Sequence, residues 1–410
     1  MVKSTKRFKP IPLATGSVNA TNAPFLVIGR NDFVSRFWKK TKAGSNLHIL
    51  SERRMGKTWA IWLAIAKKPT WVNPIFFDAE QVNAVEEFVW KLNQEMHRQG
   101  FMSDNGMDKA TDWFRRIKQR MRGQSIGEYE LPSGLDPWST FLEDTCRNFV
   151  EKSGDRMAVL IIDELPFLID KIYKNQGHRN AAELLDKLRA IRQTVNSFQM
   201  AFCGSLGMHI VLQKLKDSGY IGQPINDMEP LELTPLITED ATYLAAGLLL
   251  SEKIKCSNLE DVATVIAKVS SGIPYYIKHI IIWLSDHSVD LVDPEMIDGT
   301  LQKLFDTPGD PAGFLYYDTR LDQYYPEDIV EKARAALDIL SRNNNGLHFN
   351  ELLNLVRYRP STLTIDPESL LEILRTLRDD HYLVGQSSQW QFKLEIVRRW
   401  WYEQRGGLEL

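Results

Sequence analysis

The chain has 410 residues, 53 acidic side chains against 50 basic ones, a net charge of −3 and 43% hydrophobic residues. This ordinary globular balance gives no global electrostatic case for nucleic acid, and no apolar run is long enough to span a bilayer. The three cysteines, Cys146, Cys203 and Cys256, are far apart, so they predict neither a disulfide framework nor a metal-ligand pair, as expected in a reducing cytoplasm.

Residues 1–23 carry Lys3, Lys6, Arg7 and Lys9 with no apolar segment after them, which predicts a flexible arm instead of a signal peptide. From Leu47 onward, apolar strand-like runs alternate with amphipathic helices, the pattern of an α/β sheet. Leu47–Leu50 predicts a first strand and Pro74–Asp78 a second. Val85, Phe88, Val89, Leu92 and Met96 then fall at helical spacing, which predicts a helix from Val85 to Arg98. Residues 100–138 are polar and broken by Gly and Pro, and predict an inserted, partly mobile segment. Its basic cluster from Arg115 to Arg122 fits a solvated helix face, with nucleic acid or an acidic partner as the alternative.

Between the first strand and Trp59 lies Ser51-Glu52-Arg53-Arg54-Met55-Gly56-Lys57-Thr58. Strand, tight loop and helix start, with Gly-Lys-Thr at the turn, predict a phosphate-binding loop. Backbone N–H groups in such a loop converge on phosphates at the positive end of the following helix. Gly56 lets the backbone approach closely, Lys57 supplies a charge near the β/γ-phosphates, and the Thr58 hydroxyl suits Mg²⁺. Ser51 stands where the pattern G-x-x-x-x-G-K-[ST] has its first glycine.

Met157–Ile162 is a continuous apolar run, as for a strand buried on both faces, and it ends in Asp163-Glu164. An acidic pair at a strand's carboxyl end lies where open α/β sheets bind ligands. Asp163 would hold Mg²⁺ through water, and Glu164 would orient and polarise the attacking water. With the Gly-Lys-Thr loop upstream, the pair predicts a nucleoside triphosphate site. The next strand, Phe198 to Cys203, leads to Ser205, either a γ-phosphate sensor or an ordinary turn serine. Arg179, Arg189 and Arg192, on or near the helix from Ala181 to Val195, could act in trans on a neighbour's nucleotide or simply be solvated.

Helices are predicted at Glu239–Leu250, Leu259–Val269 and Tyr275–Asp286, with Pro274 suited to the first turn of the last. In the C-terminal part, Glu327–Ser341, Phe349–Arg357 and Pro367–Asp379 predict three helices, the third capped by Asp366. Tyr382 to Phe392 predicts a hairpin. The third helix would bury Leu370, Leu371, Leu374 and Leu377. From 366 to 380 it carries Asp366, Glu368, Glu372, Asp379 and Asp380 against Arg375 and Arg378. That charge would be repelled by DNA phosphates.

These segments together resemble the archaeal-type ATPases of the STAND branch of AAA+-like P-loop proteins, from about residue 24 onward. The resemblance rests on Pro24-Phe25 with Gly29-Arg30-Asn31-Asp32, on Ser51–Thr58 and its paired arginines, and on Leu160–Glu164. Cys203-Gly204-Ser205, Leu231–Leu236 and Gly272-Ile273-Pro274-Tyr275-Tyr276 extend it. It implies a P-loop NTPase core at 24–230, a helical lid at 231–310 and a winged helix at 325–405, while the inserted segment at 100–138 is longer than the family pattern and departs from it. It also implies a sensor strand between the loop strand and the strand ending in Asp163.

ATP and Mg²⁺ are the expected ligands. Arg30, Ser51 to Trp59 and Pro274 are expected near the nucleotide, Thr58 and Asp163 at the metal, and Lys57, Glu164 and Ser205 in catalysis. The function this implies is an ATP-hydrolysing switch that couples nucleotide state to a protein partner or to self-assembly. Proteins of this family often serve mobile elements or antiviral systems. The alternative is an ATP-dependent DNA-binding regulator or loader that uses the winged helix.

Overall fold

The computed structural model describes residues 8–13, 23–121, 138–204, 207–358, 365–386 and 388–405. The chain divides into two compact units. One comprises Asn31–Ser51 and Thr58–Leu233. The other comprises Met1–Arg30, Glu52–Lys57 and Thr234–Leu410.

The first unit is an α/β sheet with its helices. Its elements run α1 (Asn31–Lys42), β1 (Asn46–Leu50), α2 (Lys57–Ala66), β2 (Val72–Asp78), α3 (Val85–Arg98), α4 (Asp104–Met121) and α5 (Trp138–Ser153). They continue β3 (Met157–Asp163), α6 (Leu165–Thr194), β4 (Phe198–Phe202), α7 (Met208–Asp217) and β5 (Met228–Glu232). The five strands are parallel, in the order β2-β3-β4-β1-β5. Ala158 to Ile162 of β3 are fully buried, as a continuous apolar run in a covered parallel sheet must be. β4 lies between β1 and β3, with Ala201 opposite Leu47 on one side and Ile161 on the other. This is the strand order implied by the resemblance.

Several expectations change here. Where a broken polar segment is expected, Asp104–Met121 is one amphipathic helix, because Ala110, Trp113 and Ile117 recur on a buried face. Stacked rings at Trp90–Phe114 and Trp113–Phe141 tie α4 to α3 and α5. Arg115, Arg116 and Lys118 lie on its exposed face, and residues 122–137 lie outside the described part. The helix expected at Ala181–Val195 is the second of two helical segments within Leu165–Thr194, which are interrupted at Gly177, whose φ of 86° lies outside the helical region.

The second unit carries α8 (Thr238–Ser251), α9 (Leu259–Val269), α10 (Pro274–Asp286), α11 (Met296–Phe305) and α12 (Leu315–Tyr324). Gly272, at φ +68, pins the turn before α10. A Cβ there would lie 2.4 Å from the Leu236 carbonyl oxygen, and Leu236 N donates to Gly272 O at 2.9 Å. The arm expected to be flexible is anchored in part. Phe8 and Ile11 are buried, Ile11 N donates to Gly247 O of α8 at 2.8 Å, and Phe8 packs on Tyr243.

The same unit ends in α13 (Glu327–Ser341), β6 (Leu347–His348), α14 (Phe349–Arg357), α15 (Pro367–Asp379), β7 (Leu383–Gln386), β8 (Gln389–Phe392) and α16 (Glu395–Arg405). The three strands form an antiparallel sheet in the order β6-β8-β7. Asp366 caps α15, its carboxylate accepting from the backbone of Glu368 and Ser369 at 3.0 and 2.9 Å. Ile373 takes the place expected for Leu371 in the buried stripe, and Leu371 is half-buried. Asp380 does not belong to the exposed charge of α15. It is buried, accepting from Arg320 and from Tyr325, each at 2.6 Å.

Candidate functional site

The segment from Ser51 to Lys57 leaves the carboxyl end of β1 and enters α2. Ser51, Glu52, Met55 and Lys57 are buried, and Thr58 is exposed. Glu52–Lys57 belongs to the second unit, while Ser51 and Thr58 belong to the sheet unit. Two loop residues adopt left-handed backbone, Arg54 at φ 74° and Gly56 at φ 78°. A Cβ on Gly56 would have nothing within 4 Å, so the dihedral and not the space requires glycine there. Turns containing left-handed residues gather backbone N–H groups into anion-binding concavities.

Arg54 bears a conformation that costs a side-chain-bearing residue roughly 1–2 kcal/mol. Its side chain is held in place. Nη1 donates to the Ala312 carbonyl, and the guanidinium lies 4.1 Å above the Tyr275 ring. Arg53 lies 4.0 Å above the Tyr316 ring. The Glu52 carboxylate, 3% exposed, pairs with Lys393 Nζ at 3.2 Å.

Arg30 is expected near the nucleotide, but its guanidinium is committed to the protein backbone. It is buried, Nη2 donates to Met55 O and Nη1 to Thr234 O, each at 2.6 Å. Burial lowers its pKa to about 10, against the pull of Asp240. Arg30 therefore braces the loop backbone. Pro274 opens α10, beside Tyr275, on which Arg54 rests.

In the sheet unit, the Thr58 hydroxyl donates to Asp163 Oδ2 at 3.0 Å. This joins the start of α2 to the carboxyl end of β3. Glu164 follows at φ 56°, a left-handed residue that opens α6 and donates its N–H to Asp163 Oδ1 at 3.1 Å. β4 ends beside it. A Cβ on Gly204 would lie 2.6 Å from Pro166 Cδ and 3.5 Å from Glu164 Oε2, so only glycine permits this approach. Ser205 lies outside the described residues. Trp59 is half-buried in the first turns of α2.

The arginines considered for action in trans separate clearly. Arg192 is spent inside the unit, bound by two nitrogens to Asp227 at 2.6 and 2.9 Å with its side chain fully covered. Arg189 donates to Gln223 O at 3.0 Å, and Arg179 is exposed. Sequence reasoning missed Tyr316 and Lys393 as partners of the loop, and marked Tyr275 only within the Gly272–Tyr276 motif. All three lie more than 200 positions downstream of the loop, and no local signal marks Tyr316 or Lys393.

No protein-family model matches the chain, and no curated protein matches it. Among solved structures, it is similar to a Walker-type ATPase of Pyrococcus abyssi, with a TM-score of 0.63 and 12% identity over 96% of this chain and 98% of that one. It is also similar, at a TM-score of 0.48 and 11% identity, to the ORC2 protein of Aeropyrum pernix in ADPNP–ADP complexes, over 97% of each chain. At such identities the likeness is one of fold. Sheet order, loop position and this similarity together establish the α/β P-loop NTPase fold.

Proposed function

We propose that this chain binds and hydrolyses ATP as a STAND-type switch, with nucleotide state passed to a protein partner or to self-assembly. The observation that carries this is the Thr58–Asp163 hydrogen bond of 3.0 Å, which brings the end of a Gly-Lys-Thr loop onto the acidic end of a buried strand. A hydroxyl and a carboxylate so placed are hard oxygen donors. Mg²⁺ takes one or two such protein ligands beside substrate phosphates, so the donor set fits it. When bound, Mg²⁺ would supply charge neutralisation for the phosphates.

The chain's own residues divide the remaining work. Loop N–H groups and Lys57 bind and orient the phosphates. Glu164 is fixed by its N–H bond to Asp163 and by its left-handed backbone, and its carboxylate orients the attacking water. A non-glycine residue held at positive φ costs of order 1–3 kcal/mol, and such outliers cluster at functional positions. The Walker-type ATPase name of the Pyrococcus abyssi protein supports the same chemistry.

The lid assignment for 231–310 and the winged-helix assignment for 325–405 belong to this proposal. A protein is favoured over DNA as the partner, because the exposed side of α15 carries Asp366, Glu368, Glu372 and Asp379 against Arg375 and Arg378. No helix among the described residues is long and apolar enough to cross a membrane. An antiviral or mobile-element setting rests on the family resemblance alone.

Nucleotide titration of the wild type and Lys57→Ala tests the core claim. The wild type should bind MgATP and Lys57→Ala should not; undetectable binding in both would sink it. Glu164→Gln should retain ATP and lose turnover.

A further inference from the structure

Three successive residues of the loop, Glu52, Arg53 and Arg54, each grip a different part of the C-terminal half. Glu52 pairs with Lys393, between β8 and α16, at 3.2 Å. Arg53 lies over Tyr316 of α12, and Arg54 over Tyr275 of α10. In the phosphate-loop pattern these positions are variable, because the phosphates are held by backbone N–H groups and by the Gly-Lys-Thr. Here their side chains face away from that task and into built receptors.

The receptors are specific. Gly313 lies at φ +61, and a Cβ on it would fall 1.9 Å from Arg54 Nη2, so the turn before α12 has room for the guanidinium only as glycine. Asp310 fixes that turn by accepting from the N–H groups of Phe314 and Leu315 at 2.7 and 2.8 Å. Lys393 Nζ lies 3.2 Å from His381 Nδ1, and its backbone N–H donates to Tyr382 O at 2.9 Å, so its stem is fixed at both ends.

We propose that Lys393, through Glu52, is a positioning residue for the phosphate loop, and that the C-terminal half thereby sets the protein's nucleotide affinity. This rests on the nucleotide reading above. The physical basis is differential pairing. A nearly buried carboxylate whose ammonium partner is withdrawn is strongly destabilised, so the loop residue carrying it must shift with the partner. Linkage then requires reciprocity. Whatever displaces the β8–α16 segment weakens nucleotide binding, and nucleotide binding must tighten that segment by the same factor.

The test uses the full chain and a fluorescent ATP analogue with Mg²⁺. Lys393→Met keeps the stem and removes the charge, and should weaken binding about tenfold, less than the full effect of breaking a buried pair because Lys393 is 24% exposed. Lys393→Arg should stay within about threefold of the wild type, since it restores the cation. Tyr316→Leu, which removes the ring beneath Arg53, should weaken binding by about threefold. Thermal melts without nucleotide separate a loss of fold from a loss of loop placement. In the wild type, nucleotide should slow amide exchange across Glu395–Arg405, and in Lys393→Met that response should vanish. Wild-type affinity in both Lys393→Met and Tyr316→Leu would overturn the proposal and leave the nucleotide site standing. Failure of the wild type itself to bind would instead remove the nucleotide site, and this coupling with it.

Discussion

The Thr58 hydroxyl and the Asp163 carboxylate meet at 3.0 Å although 105 positions separate them in the chain. If both serve one Mg²⁺, their contributions cannot be independent. Thr58→Ala and Asp163→Ala should each lower ATP turnover by about 100-fold or more, the scale of losing a charge-stabilising group in a transition state. The double variant should fall little further, because residues acting as a unit are strongly non-additive. Steady-state hydrolysis across a Mg²⁺ titration measures this. Additive losses would mean that the two side chains do separate jobs.

Much of this site was legible because its chemistry is local. Gly56-Lys57-Thr58 and Asp163-Glu164 each end or begin an element whose apolar pattern announces it. The same holds for α3, α13, α14 and α15, whose apolar stripes and, for α15, Asp366 cap mark their limits. α12 escaped, because the residues it buries are Tyr317, Arg320 and Leu321, which form no simple apolar stripe. Asp380 was misjudged for a related reason. Its partners Arg320 and Tyr325 lie 60 and 55 positions away, so sequence alone counted it as surface charge. The grips on Arg53 and Arg54 lie farther still along the chain, and only the fold brings them together.

That buried Asp380 yields a stability prediction. Its carboxylate is enclosed with the Arg320 guanidinium at 2.6 Å, and the charge attraction holds Arg320 well above its ordinary pKa against the opposing effect of burial. Asp380→Ala strands that guanidinium and should cost about 3–5 kcal/mol in chemical denaturation. Replacing both members by apolar residues, Arg320→Met with Asp380→Leu, should recover a large part of the loss. A double variant no better than Asp380→Ala would mean that other partners, Tyr325 among them, dominate.

Gly313 and Gly56 separate strain from collision. Alanine at either position meets the left-handed penalty of about 1–2 kcal/mol. At Gly56 that is the whole of it, since nothing lies within 4 Å of the added carbon. At Gly313 the added carbon would lie 1.9 Å from Arg54 Nη2, so the arginine must also leave its seat. Gly313→Ala should therefore be the more destabilising in thermal melts. Arg54→Ala in the same chain should cost less than it does in the wild type, because its contact is already lost. Full additivity would show that Arg54 relocates without penalty.

His279 gives a pH dependence with a definite sign. Its ring lies 4.2 Å from Tyr275, on which Arg54 rests. Burial first, then the positive charges of Arg54 and Lys278, push its pKa from 6.5 down to about 4, with Asp310 pulling weakly the other way. The folded chain thus refuses a proton that the unfolded chain accepts below about 6.5. Between those values the unfolded state binds more protons, so this residue's contribution to stability falls as pH drops from about 6.5 towards 4. His279→Gln removes the titration while keeping a polar side chain of similar reach. Its melting temperature should decline less than that of the wild type between pH 7 and pH 5. Lys278→Met should also flatten the wild-type decline, since it removes one of the charges opposing protonation. Parallel declines in all three proteins would place the acid sensitivity elsewhere, in the carboxylates that lose their partners on protonation.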